Sequence, residues 1–266
     1  HRAWTFPRGY DILCDNCGHG WRGGWAVRTD ILGVAFDNVT MAEALDTARA
    51  LLQRPEASYC VTPNAEMAYE ALHDESFRAI LNGASLVLPD GAGIVKGAAI
   101  LGRPMKQKVP GIDFACGVMA QLAERGGSVY LFGAKPGVAE AAGQTLKGMF
   151  PGLVISGTSD GYFSDDGPII EKIRAAQPDM LLVCLGAPKQ ELWMAKEEGK
   201  LPVGLMCGLG GSLDVFAGTV KRAPVAWQKL DLEWLYRLIK EPRRIGRMMK
   251  LPLFVLEAAG ERLRGK

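Results

Sequence analysis

Several things are scarce in this chain of 266 residues, and each scarcity removes a class of protein. No apolar run reaches the ~18 residues that a membrane-spanning helix needs. The N-terminus has no basic segment leading into an apolar core, so no secretory leader is expected. No GxGxxG follows the first strand-like run with an acid about 20 residues further on, which argues against a dinucleotide-binding oxidoreductase. A GxxxxGK[ST] phosphate loop is also missing. There is no internal repeat and no low-complexity linker. Cysteine is limited to six residues. Of these, Cys60, Cys184 and Cys207 lie in strand-like apolar runs and Cys116 in a helix-like one, which points to reduced, buried thiols and a cytosolic compartment.

What is present is an ordinary globular composition, 48% hydrophobic and 23% charged, with the charge unevenly placed. From Lys221 onward there are 12 Lys/Arg and 5 Asp/Glu, a net +7, whereas the first 220 residues net −5. A basic tail on a mildly acidic body suits a polyanionic partner: phospholipid, nucleic acid or a phosphorylated substrate.

Short apolar runs read as strands at Tyr59–Thr62, Leu86–Leu88, Val129–Phe132, Leu153–Ser156, Met180–Leu185 and Val203–Cys207. Helix-like segments lie between them near 40–53, 65–82, 111–125, 137–149, 167–176 and 188–198. Continuous apolar strands alternating with amphipathic helices predict an α/β, Rossmann-like, doubly wound and mostly parallel sheet over residues 31–221. Residues 1–30 stand apart as an N-terminal extension, with three of the six Trp and a Cys14-x-x-Cys17 plus His19. That is half a zinc knuckle, and no second ligand pair follows at a suitable spacing. Residues 222–266 form a basic helical appendage. Trp227, Leu230, Trp234, Leu235 and Leu238 give it a helical stripe, Pro242 interrupts it, and Arg243, Arg244, Arg247 and Lys250 follow beside Met248, Met249, Leu251, Leu253 and Phe254. A basic amphipathic segment of this kind fits a membrane surface.

Ligands of open α/β sheets bind beyond the carboxyl ends of the strands, and each strand here ends in a small or polar cluster. These are Thr62-Pro63-Asn64-Ala65-Glu66, Pro89-Asp90-Gly91, Gly133-Ala134-Lys135-Pro136-Gly137, Gly186-Ala187-Pro188-Lys189-Gln190-Glu191 and Gly208-Leu209-Gly210-Gly211-Ser212-Leu213-Asp214. Taken singly, each has a structural explanation. Asp90 reads equally as a helix N-cap, Pro63 and Pro188 as first-turn prolines, and Gly133 and Gly137 as turn residues. Lys189, Gln190 and Glu191 put three polar groups in one helical first turn, where free N–H groups favour an anion such as a diphosphate. Five such clusters on one edge of one sheet describe a site.

Together TPNAE, PDG, the Gly111-Ile112-Asp113 step, GAPKQE, GLGGSLDVFAG with KRAP behind it, and LEWLYRLIKEPRR resemble the WecG/TagA/CpsF glycosyltransferases, most of all the TagA branch. The resemblance runs in order from about Ile31 to about Lys250 and leaves out residues 1–30. It implies an inverting transferase that moves N-acetylmannosamine from its UDP-sugar to the 4-hydroxyl of N-acetylglucosamine on a polyprenyl diphosphate, in wall teichoic acid synthesis. It also implies no metal and no cofactor, and the body has no Asp-x-Asp, the usual divalent-metal clamp of many nucleotide-sugar transferases. The leaving diphosphate then needs fixed positive charge and N–H donors.

By the same resemblance Asp90 is the base, assisted by Thr62. Arg237, Arg244 and Arg247 map onto arginines that close over the diphosphates. Asp214 is expected at the uracil or ribose, and Lys189 and Gln190 at the ribose–diphosphate. Asn64, Gly91, Asp113, Gly133, Glu191 and Gly210 complete the expected substrate pocket. The implied partners are a UDP-sugar donor, a polyprenyl-diphosphate acceptor and the inner face of the plasma membrane, where the protein is peripheral; nucleic acid is not among them, and a homo-oligomer stays open. The readings that compete are the same fold using the uronic acid form of the donor or another UDP-hexose, and, more remotely, a non-catalytic lipid- or nucleic-acid-binding protein.

Overall fold

The computed structural model describes residues 27–54, 56–242 and 245–265. Cys14, Cys17, His19 and Arg244 lie outside them, and with them the half zinc knuckle. The described chain opens with an antiparallel hairpin, β1 (Arg28–Ile31) and β2 (Val34–Asp37). Its two-residue turn holds both Leu32 and Gly33 at positive φ, 53° and 85°, the backbone that matches the natural twist of paired strands. The hairpin therefore begins inside the stretch assigned to the extension. It docks through Asp37, whose carboxylate accepts the Val87 N–H at 2.7 Å.

The main sheet has six strands: β3 (Ser58–Val61), β4 (Leu86–Val87), β5 (Ser128–Gly133), β6 (Val154–Ser159), β7 (Met180–Cys184) and β8 (Leu205–Gly208). Their order is β4-β3-β8-β7-β5-β6, and every pairing is parallel, as the alternating pattern predicted. Side chains alternate across each strand, so the core splits in two. Tyr59, Val61, Tyr130, Phe132, Leu181, Val183 and Met206 face α2 (Ala65–His73), α3 (Glu75–Gly83), α4 (Ala92–Ile100), α7 (Gly167–Ala176) and α8 (Lys189–Glu197). Cys60, Leu131, Leu182, Cys184 and Cys207 face α1 (Met41–Leu51), α5 (Gly111–Glu124), α6 (Val138–Met149) and α9 (Ser212–Phe216). These three cysteines and Cys116 on α5 are free and buried.

Two helices depart from the sequence expectation. The segment 65–82 is two helices, because Asp74 ends α2 and at once caps α3, its carboxylate accepting the Phe77 N–H at 2.9 Å. α4 was not expected as a helix at all.

The C-terminal stretch falls into two parts. α10 (Val225–Lys229), α11 (Glu233–Lys240) and α12 (Ile245–Met248) bury no residue. α13 (Lys250–Leu263) is anchored against α2 and α4 by Phe254 and Ala258, both fully buried. The seat is built from glycine. A Cβ on Gly97 would come within 2.5 Å of the Phe254 ring, and one on Gly93 within 2.7 Å of Leu251. Among the described residues no helix is long and apolar enough to cross a membrane.

Candidate active site

β3 and β8 are neighbours, yet β3 leads into α2 on one face of the sheet and β8 into α9 on the other. Their carboxyl ends open a crevice at this divergence, where doubly wound folds bind ligands. Thr62 bridges it, its hydroxyl donating to the Gly208 carbonyl at 3.2 Å. Gly111, first residue of α5, fits against the same point: a Cβ there would meet Thr62 Cγ2 and Leu209 Cδ2, both at 2.9 Å.

Asp90 lies where α4 and α5 both start. It does not cap α4: the cap is Gly91, at φ 91°, with no side-chain hydrogen bond to the helix. The equal choice between cap and base is thereby resolved against the cap, and the carboxylate is left for other work. Burial pushes Asp90 up to about 6, and Glu233 adds to the rise, while Arg237 and the Gly111 N–H oppose it and Asp113 contributes a smaller increase. A carboxyl raised in this way is a stronger base that is still mainly ionised at neutral pH.

Gln190 ties the next two strands together. Its Oε1 accepts the Gly210 N–H at 2.9 Å and its Nε2 donates to Glu191 Oε1 at 2.7 Å. Asp214 stands in the first turn of α9, and Thr219 Oγ1 donates to its carboxylate at 3.3 Å. These residues join Thr62, Asp90, Gly91 and Gly210 along one sheet edge.

Other expected site residues have protein partners. Asn64 caps α2, accepting the Met67 N–H at 3.0 Å. Asp113 forms a two-point ion pair with Arg222, at 2.6 and 2.9 Å. Gly133, at φ 132°, is required by close packing, since a Cβ would sit 2.2 Å from the Cys184 carbonyl oxygen. Lys189 is drawn toward the β6–α7 loop, with Nζ 4.1 Å over the Phe163 ring and donating to the Gly161 carbonyl at 3.2 Å. Glu191 is fully buried, so it touches no ligand from this position. Its burial raises the carboxyl to about 7.

The C-terminal helices close one side of the crevice. Arg237 on α11 acts on Asp90 and bonds Glu233 at 3.3 Å. Arg247 pairs through Nε with the buried Glu66 at 2.5 Å, and Lys250 pairs with Glu70. Lys108 holds Asp231, at the turn before α11. Sequence reasoning missed Glu233, which loads Asp90, and Arg222, which straps the KRAP segment to α5. Both sit inside motifs quoted above, but nothing in their spacing says which carboxylate or cation they meet.

A doubly wound parallel sheet with a perturbed carboxylate and glycine loops along its carboxyl edge is an enzyme of Rossmann-like architecture. More narrowly, the chain belongs to the glycosyl transferase WecG/TagA/CpsF family, whose model matches residues 29–266. It is 37% identical over 204 residues to a Bacillus spizizenii protein named N-acetylglucosaminyldiphosphoundecaprenol N-acetyl-beta-D-mannosaminyltransferase, covering 77% of this chain and 79% of the relative. A Staphylococcus aureus protein of the same name is 34% identical over 237 residues, covering 87% of this chain and 92% of the relative. The resemblance seen in the motifs thus holds across the folded chain, including α10–α13.

Proposed function

We propose that this protein transfers N-acetylmannosamine from UDP-N-acetylmannosamine to the 4-hydroxyl of N-acetylglucosamine carried on undecaprenyl diphosphate, inverting the donor carbon. The observation that carries this reading is Asp90, a base with its affinity for protons raised to about 6, at the crevice of a chain whose relatives bear that name. Asp90 takes the acceptor hydroxyl proton as that oxygen bonds the sugar carbon; the bond from the carbon to the diphosphate oxygen breaks, and UDP leaves. Thr62 positions the acceptor side of the crevice. The donor's nucleotide lies against the 208–214 loop, with Asp214 at uracil or ribose and Gln190 beside the ribose–diphosphate.

With no Asp-x-Asp in the body, cationic side chains offset the charge that develops on UDP. Arg237 and Arg247 are the described candidates, and Arg244 is assigned the same role from the family motif. Exposed Trp234, Ile239, Ile245, Met249 and Leu253 lie among these cations. That mixture supports docking of α10–α13 on an anionic cytoplasmic leaflet, where a polyprenol-anchored acceptor is found.

The test is to incubate the protein with UDP-N-acetylmannosamine and a lipid-diphosphate N-acetylglucosamine, and analyse the products. Release of UDP with a disaccharide lipid is expected. Turnover confined to the uronic acid donor would move the assignment to the other donor within the family, and no turnover with either would reject it.

A further inference from the structure

Glu191 is an odd residue to find inside a fold. Its side chain is fully buried, Oε1 accepts from Gln190 Nε2 at 2.7 Å, and Oε2 has no partner among the described residues. For filling space alone a leucine would serve better, because a buried oxygen without a partner costs stability. The carboxyl instead does something to its neighbour. An amide has a donor end and an acceptor end, and a carboxyl oxygen beside Gln190 selects the orientation that points nitrogen toward it. Only then does Gln190 Oε1 face the Gly210 N–H, at 2.9 Å. Turned over, the amide would set oxygen against oxygen and N–H against N–H.

The amide packs against bare backbone: a Cβ on Gly208 would lie 3.2 Å from Gln190 Nε2. We infer that Glu191 is a positioning residue for the donor pocket, fixing the Gln190 amide and through it the Gly208–Gly211 loop. This rests on the reading that the donor's nucleotide lies against that loop. Glu191 touches no substrate; it acts through Gln190.

The experiment compares Glu191→Leu, Glu191→Gln and Asp214→Ala with the wild type, measuring melting temperature, UDP affinity by calorimetry, and steady-state kinetics with UDP-N-acetylmannosamine. Glu191→Leu should melt at or above the wild-type temperature. Its KM for the donor and its Kd for UDP should rise roughly tenfold, the scale of one lost hydrogen bond, with kcat changed by less than about twofold. Glu191→Gln keeps an acceptor oxygen for Gln190 and should restore wild-type KM. The inference is overturned if Glu191→Leu leaves donor KM and UDP affinity unchanged, or if Glu191→Gln is as impaired as Glu191→Leu. Asp214→Ala separates the failures: if it weakens UDP while Glu191→Leu does not, only the positioning role falls. If neither variant weakens UDP, the loop is not the donor site and both readings fall.

Discussion

Asp90 shares its crevice with Glu233, Asp113, Arg237 and the Gly111 N–H, and the balance of these groups with burial leaves its carboxyl at about 6 rather than the usual 3.8. Because the base works ionised, kcat/KM should climb with pH through about 6 and level off above 7. Glu233→Gln removes a group that raises it, so the acid limb should shift to lower pH; an unmoved limb would mean that another group titrates. The same shift carries a stability sign. A carboxylate raised above its unfolded value binds its proton more tightly in the folded state, so its favourable contribution is complete below pH 3.8 and is lost as pH rises through about 6. At neutral pH ionised Asp90 therefore costs stability, on the order of 1–3 kcal/mol. Asp90→Asn should melt several degrees above wild type at pH 7.5, with the gap narrowing toward pH 5. A variant that melts lower would show that the carboxylate is structural.

At the scale of elements, α4 and α13 decide how far the tail belongs to the fold. α4 reads AGIVKGAAI, and its two interior glycines exist to admit Leu251 and Phe254. Phe254→Ala should cost about 3–5 kcal/mol, the range for emptying a buried aromatic site. Gly97→Ala should cost about 1–3 kcal/mol by overpacking. Urea unfolding measures both; near-wild-type values would mean that α13 is not part of the cooperative core. The same pair of helices shows what the sequence could not say. α4 is apolar apart from Lys96, so one charged residue is too little of a polar face to give a helical period. The β1–β2 hairpin is too short to display alternation, and Asp74 splits 65–82 by capping rather than by any Gly or Pro. Strands β3, β5, β7 and β8 were legible because burial on both faces leaves them continuously apolar. Asp90, Thr62, Gln190 and Gly210 were legible because chain order fixes which residues follow a strand. Side-chain direction is not fixed by order: Lys189, Gln190 and Glu191 are consecutive on one helix, yet they point to a loop, to the crevice and into the core.

Across the whole molecule, the split between a −5 body and a +7 C-terminal region becomes a layout. The cations and exposed apolar side chains of α10–α12 lie beside the crevice, while α13 pins their far end. The protein should sediment with anionic vesicles, and salt near 0.5 M should release most of it, because surface charge is then screened within a few ångströms. Arg237→Glu should weaken that binding and lower turnover on lipid-linked acceptor at least tenfold; equal binding to neutral vesicles would contradict the electrostatic part. The central claim is that Asp90 takes the acceptor proton, and it is tested most directly by measuring turnover and UDP affinity together in Asp90→Asn. The account predicts turnover lower by roughly 10²–10⁴ with UDP bound almost as in wild type, whereas near-normal turnover in that variant would contradict it.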